Sequence, residues 1–207
     1  MAYEVKTFAF HGAFCNSYLL IQDEECLLID PGFNEGHVLE NEIKKTGKKL
    51  RGILLTHGHF DHFAGLRNWE NLDQIPIFIA QEDQRNLKDG NQNVSSLFLG
   101  YPITVDIKPY LLEDEDEIRL GNFFLKVIAT PFHTEGSVCF YLEDGNILFS
   151  GDTLFQGSIG RYDLPGSDPR KIVSSLKKLE SLPPETIVYP GHGSPTKIAL
   201  ELETAEK

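Results

Sequence analysis

The sequence predicts an α/β fold in which β-sheets are covered by amphipathic helices. Three observations predict it. Short apolar runs of strand length recur along the chain, separated by turn residues. Between some of them stand segments whose apolar residues repeat at helical spacing. The composition, 41% apolar and 24% charged over 207 residues, is that of a globular chain able to bury a sizeable core. It excludes disorder, collagen and coiled coil. No linker, low-complexity stretch or clear repeat interrupts it, so the expectation is a single domain over 1–207.

Taken in order, Tyr18–Ile21 and Cys26–Ile29 read as strands split by the polar turn Asp23-Glu24-Glu25. Asp30-Pro31-Gly32 ends the second. Glu35 to Thr46 reads as a helix, with Val38, Leu39 and Ile43 on one face and Gly47 at its C-terminal cap. Ile53–Leu55 is a buried strand, and a helix is expected to begin at Asp61 and reach Trp69. Ile77–Ile79 is a strand and Gln81 to Lys88 a helix. Asn91 to Tyr110 lacks a clear period and is expected to be a loop-rich excursion. Glu113 to Glu117, five consecutive carboxylates, repel one another and should stay in water. Strands follow at Phe123–Ala129, Val138–Leu142 and Ile147–Ser150, the last two joined by the turn Glu143–Asn146. Asp168-Pro169 opens a helix with the apolar stripe Ile172, Val173, Leu176 and Leu179. Ile187–Tyr189 is the last strand. Ser194-Pro195 starts a final helix with Ile198, Ala199 and Leu202 facing inward.

The net charge is −12. Such a chain is a poor electrostatic partner for a nucleic-acid backbone or an anionic membrane. No run approaches eighteen apolar residues, so no span is expected. Met1 to Phe10 lacks a basic region followed by an apolar run, so no secretory leader is expected. Cys15, Cys26 and Cys139 are odd in number and far apart. They read as small buried hydrophobes in a reducing, cytoplasmic protein.

The chemistry concentrates in Thr56-His57-Gly58-His59-Phe60-Asp61-His62, directly after a predicted strand. In an extended segment side chains two apart share a face, so His57 and His59 can grip one ion together. If the chain turns helical at Asp61, that carboxylate and His62 point elsewhere and can serve a second ion nearby. Imidazole with carboxylate suits zinc, and also iron or manganese. His133, Asp152 and His192 each lie just past another predicted strand end. Rigid strands aiming loop residues from one rim of a sheet are a usual way to build a site. His11 and His37 lack this context.

This pattern, His-x-His-x-Asp-His followed by His133, Asp152 and His192, resembles the metallo-β-lactamase superfamily, as does Leu28-Ile29-Asp30-Pro31-Gly32. The resemblance covers nearly the whole chain. It implies a four-layer αββα sandwich with two divalent metal ions at one edge of the sheets, zinc first, with iron or manganese as alternatives. His57, His59 and His133 would hold the first metal. Asp61, His62 and His192 would hold the second, and Asp152 would bridge both. Asp61 and Asp152 would thereby be catalytic. Asp30 matches a superfamily aspartate that either steadies its turn or supports a ligand.

Gly151-Asp152-Thr153-Leu154-Phe155, Gly157-Ser158-Ile159-Gly160-Arg161 and Ser181 to His192 are similar to the glyoxalase II-like hydrolases. There Arg161 falls where glutathione-thioester hydrolases carry a basic residue; its other reading is a surface arginine. Two departures stand out. Phe132 replaces the glycine usual before the third histidine, an expected change in the pocket wall. The sequence also stops at Lys207, short of the helical substrate region of full-length glyoxalase II, so the likeness is to the short single-domain branch.

The implied activity is hydrolysis of a small thioester or ester, such as S-lactoylglutathione, by a hydroxide bridging the metals. Three other readings stand beside it. One is a persulfide dioxygenase with a single iron on His57, His133 and Asp152. Another is a lactone or phosphodiester hydrolase, and the last a non-catalytic metal-binding module. A true β-lactamase is disfavoured, because that class mostly carries cysteine at the Asp152 position.

Overall fold

The computed structural model describes residues 3–9, 15–33 and 37–202. Residues 1, 2, 10 and 11, and the expected helix start at Glu35, lie outside them. The first sheet collects β1 (Glu4–Ala9), β2 (Asn16–Gln22) and β3 (Glu25–Ile29). After helix α1 (Val38–Thr46) it adds β4 (Lys49–Leu54). Helix α2 (Phe60–Phe63) precedes β5 (Ile77–Ala80), and helix α3 (Ser95–Leu99) precedes β6 (Tyr110–Leu112). These six strands lie in sequence order, the first three antiparallel and the rest parallel.

The second sheet holds β7 (Glu117–Leu120), β8 (Phe123–Ala129), β9 (Val138–Leu142) and β10 (Ile147–Gly151). A small hairpin follows, β11 (Leu154–Phe155) with β12 (Ser158–Ile159). Then come helix α4 (Ile172–Glu180), β13 (Ile187–Pro190), β14 (Thr196–Lys197) and helix α5 (Ile198–Glu201). The order is β14-β13-β10-β9-β8-β7, with β10 and β13 parallel.

The period-two alternation of each strand explains the layering. Tyr18 and Leu20 of β2 face Phe140 and Leu142 of β9 in a core between the sheets. Leu19 and Ile21 point the other way, into a core under α1. Cys139 and Tyr141 of β9 point outward to Leu179 of α4 and Ile198 of α5. Both faces of each sheet are thus buried, the result is an αββα sandwich, and central strands such as β2, β9 and β10 read as continuous apolar runs. Each fully buried Leu, Ile or Phe contributes about 1.5–3 kcal/mol to this arrangement.

Several expectations shift in detail. Gly47 does end α1, at φ 68 with its amide on the Lys44 carbonyl. Val38 and Val173, however, are exposed at 42% and 65%. In α4 the inward stripe runs through Ile172, Ser175, Leu176 and Leu179, and Val173 lies off it. The helices expected from Asp61 to Trp69 and over Gln81–Lys88 keep nearly those extents but are largely 3₁₀: four residues of α-helix continued by 3₁₀ over Ala64–Asn68, and a 3₁₀ run over Gln81–Lys88. The final helix starts at Ile198 rather than Ser194, because Thr196 and Lys197 pair with β13. Residues 113–117 are exposed, as their charge requires. The three cysteines are free and buried. Among the described residues no helix is long and apolar enough to cross a membrane.

Candidate metal centre

Four strand ends at one rim deliver the site. His57 follows β4, His133 follows β8, Asp152 follows β10 and His192 follows β13. The parallel pairing of β10 with β13 sets Gly151 opposite Pro190, and the Gly191 amide donates to the Gly151 carbonyl at 2.8 Å. Position 191 must be glycine, since a Cβ there would run into the Asp152 carboxylate and the His62 ring. Asn16, at the start of β2, donates through Nδ2 to the carbonyls of Pro190 and Gly193 and so ties the His192 loop to the other sheet.

All seven side chains expected in the site converge. His57, His59 and His133 form one group of potential donors. His57, His62 and Asp152 form another, and Asp61, His62 and His192 a third; within each the donor atoms lie within 4.8 Å of one another. His133 Nε2 is 3.3 Å from Asp152 Oδ2, and His62 Nε2 is 3.4 Å from Asp152 Oδ1. His192 Nε2 stands 3.4 Å from Asp61 Oδ2 and 3.5 Å from Asp152 Oδ2. His57 Nε2 and His59 Nδ1 face each other at 3.2 Å.

Partners behind the cluster aim these atoms. Asp30, at φ 49 just past β3, accepts the Thr56 amide on Oδ1 and the Thr56 hydroxyl on Oδ2. That hydroxyl oxygen also lies 3.2 Å from His57 Nδ1 and can accept its proton. His62 Nδ1 donates to Asp30 Oδ2 at 2.9 Å. One buried carboxylate thus steadies its turn and orients two of the imidazoles, one of them through Thr56. His133 Nδ1 donates to the backbone carbonyl of Arg161 at 2.7 Å. In all three rings this leaves Nε2 facing the cluster.

Sequence reading missed Asp83. It sits buried in the 3₁₀ run after β5 and accepts the amides of Gly58 and Gly136 and the Thr134 hydroxyl. It therefore staples the His57–His62 loop to the His133 loop. The only signal was an acidic residue in a segment expected to be an amphipathic helix, where a solvated face is the ordinary reading. One expectation needs correction. Phe132 is fully buried and does not line the pocket; its carbonyl accepts the Asp168 amide instead. Arg161 does line the pocket, but its guanidinium forks onto Asp163 at 2.9 Å through both Nε and Nη2.

The electrostatics divide the cluster. Burial, together with the other histidines, holds His57 well below the ordinary imidazole range and pushes His59 down to about 3. Burial also opposes charge on His192 and His62. The Asp152 and Asp61 carboxylates outweigh it at His192, raising it to about 9. Asp30, Asp152 and Asp61 do the same at His62, which lies well above its usual value. Burial pushes Asp152 and Asp61 up, but His62 and His192 more than reverse this and hold both below the carboxylate range.

The family model described as the metallo-beta-lactamase superfamily matches residues 12–192. The chain belongs to the metallo-β-lactamase superfamily. Within it, the chain is 40% identical over 187 residues to "Probable metallo-hydrolase YqgX" of Bacillus subtilis (strain 168), covering 90% of this chain and 88% of that one. It is 37% identical over 192 residues to "Probable metallo-hydrolase MJ0888" of Methanocaldococcus jannaschii, covering 88% and 89%. Among solved structures, the BLEG-1 B3 metallo-beta-lactamase superposes with a TM-score of 0.90 at 37% identity over 97% of both chains. TTHA1623 in a di-iron-bound form gives 0.83 at 37% identity, over 95% and 96%. ETHE1 from Myxococcus xanthus gives 0.71 at 26% identity, over 95% and 80%. The superfamily and the His/Asp cluster together point to a two-metal site.

Proposed function

We propose that this protein is a metal-dependent hydrolase of thioesters, of the glyoxalase II-like kind, with S-lactoylglutathione as a reference substrate. The observation that carries it is a set of buried polar atoms lacking hydrogen-bond partners. His62 Nε2, His133 Nε2 and Asp152 Oδ1 are all of this kind, and all belong to the converging donor groups. Orphaned buried nitrogens and carboxylate oxygens are costly unless something cationic satisfies them. Imidazole and carboxylate are the donor chemistry that divalent zinc, iron and manganese accept, so the residues fit the group.

His57, His59 and His133 would hold one ion, and Asp61, His62 and His192 the other, with Asp152 between them. Bound there, the ions would lower the pKa of water and polarise a carbonyl. The protein's own contribution is orientation and proton custody. Asp30 and the Arg161 carbonyl keep protons on His62 Nδ1 and His133 Nδ1. Asp61, its side chain 15% exposed and lining the cavity, can take the proton of the attacking water. In hydrolysis the water oxygen joins the acyl carbon, the C–S bond breaks, and that proton ends on the leaving thiol or the bulk. A thiolate leaves readily, which suits a thioester. The acidic surface supports a small-molecule substrate over nucleic acid or membrane, and the three free thiols support a cytoplasmic setting.

A second reading is supported by the likeness to ETHE1 from Myxococcus xanthus: persulfide oxygenation on one iron held by His57, His133 and Asp152. The test is elemental analysis of the purified protein beside a panel of S-lactoylglutathione, glutathione persulfide, a lactone, a phosphodiester and a β-lactam. Thioester turnover lost on chelation and restored by metal is the expected result. Iron content with oxygen uptake on the persulfide would transfer the assignment to the oxygenase.

A further inference from the structure

In front of the cluster lies a cavity of about 350 Å³ with a polar floor and hydrocarbon walls. Phe60, Val94, Phe98, Leu99, Phe155 and Leu164 form the walls. Phe155 stands edge-on to His192 with ring centroids 6.0 Å apart. On the other side Phe98 lies 6.4 Å from Phe60, the residue between His59 and Asp61. Arg161 is the one arginine or lysine lining the cavity among the described residues, and Asp163 occupies its fork.

The wall at 94–99 is built rigidly. Val94 has φ 60, a left-handed conformation that a β-branched residue rarely adopts. Such strain persists only where the surroundings over-determine it, and it gathers at ligand sites. Here buried Asn93 does the holding. Its Nδ2 donates to the carbonyls of Asn86 and Ile103, its Oδ1 accepts the Ser95 amide, and its carbonyl accepts the Phe60 amide at 3.1 Å. The last bond fastens the wall to the loop carrying His59 and Asp61. Despite this anchoring Phe98 remains 52% exposed, an apolar ring at the cavity mouth with the Arg161 guanidinium 6.0 Å from its centroid.

We propose that the substrate's acyl group is apolar, of the size of an aromatic ring or a medium-length hydrocarbon chain, and that residues 94–99 recognise it. This rests on the thioester-hydrolase reading above. Hydrocarbon walls gain free energy from apolar area and nothing from a charged group that must shed water.

The test is a series of N-acetylcysteamine thioesters, acetyl, butyryl, hexanoyl and phenylacetyl, with a parallel series varying the thiol at constant acyl group. The expected result is kcat/KM rising about fourfold per added methylene until the cavity fills. In Phe98→Ala the phenylacetyl-to-acetyl ratio should fall about tenfold, with Phe155→Ala as a second variant on the opposite wall. A flat acyl profile, or a steep dependence on the thiol instead, would overturn the proposal. Calorimetric titration of the metal-loaded protein with phenylacetate and acetate separates the two readings. Tighter phenylacetate binding without turnover of any thioester would retain the apolar pocket and refute the hydrolase; equal binding would remove the pocket's role.

Discussion

Asp30 Oδ2 accepts the Nδ1 proton of His62 at 2.9 Å, so that His62 Nε2 is turned toward Asp152. The same oxygen takes the Thr56 hydroxyl, which lies against His57 Nδ1. Asp30 therefore supports a member of each proposed metal subsite. Asp30→Asn keeps the shape and loses the charge and one acceptor. Metal affinity should fall about 10- to 100-fold, measured by competition with a chromophoric chelator. Wild-type affinity in that variant would show the contact to be incidental.

Asp83 plays a mechanical part. Asp83→Ala leaves the Gly58 and Gly136 amides without their acceptor and removes one partner of Thr134. With each buried hydrogen bond worth about 1 kcal/mol or more, destabilisation of roughly 2–4 kcal/mol is expected in urea unfolding. Metal affinity should weaken with it, because the His57–His62 and His133 loops lose their common tie.

His59→Ala and Asp152→Ala each delete a donor from the cluster. Both should remain folded by circular dichroism while hydrolysis drops below about 1% of wild type, since the water-activating site is incomplete. Full activity of the chelated wild-type protein on every ester and thioester tried would contradict the mechanism outright.

The metal-stripped protein should be most stable near pH 6.5 and lose stability on either side. His59 has a depressed value in the folded state, about 3. As pH falls through 6.5 the unfolded chain binds a proton that the folded chain refuses, so stability declines toward pH 3. His192 has a raised value, about 9, so its contribution is complete below 6.5 and disappears as pH rises through 9. His57 adds to the first effect and His62 to the second. Thermal midpoints after chelation, taken from pH 4 to pH 10, would refute this by rising steadily across the range.

Burial pushes the Cys15 thiol up to about 12 and those of Cys26 and Cys139 up to about 11. Iodoacetamide at pH 8 should therefore label none of them in the native protein and all three in urea, as read by intact mass. Rapid native labelling at any one would mean that its surroundings open.

The seven clustered side chains were legible in the sequence because strand ends announce themselves locally. An apolar run stops, and a histidine or aspartate follows within a few residues. β8 and β9 were legible to their last residue for the same reason: a continuous apolar run bounded by turns leaves little choice of ends. The short edge strands β6, β7 and β14 were not, since a two- to four-residue pairing depends on a neighbour that local pattern cannot reveal. Val173 was misassigned because two helical stripes one residue apart look alike until the sheet chooses between them.

By itself the sequence determined the α/β class, the candidate donors and the strands that carry them, because periodicity and side-chain chemistry are written residue by residue. Tertiary structure alone decided what surrounds those donors. It brought Asp83 beneath two loops, buried Phe132, and set Phe98 against the cavity. Each of these depends on which distant segments meet, and contact between distant segments is a property of the packed fold rather than of any local run of residues.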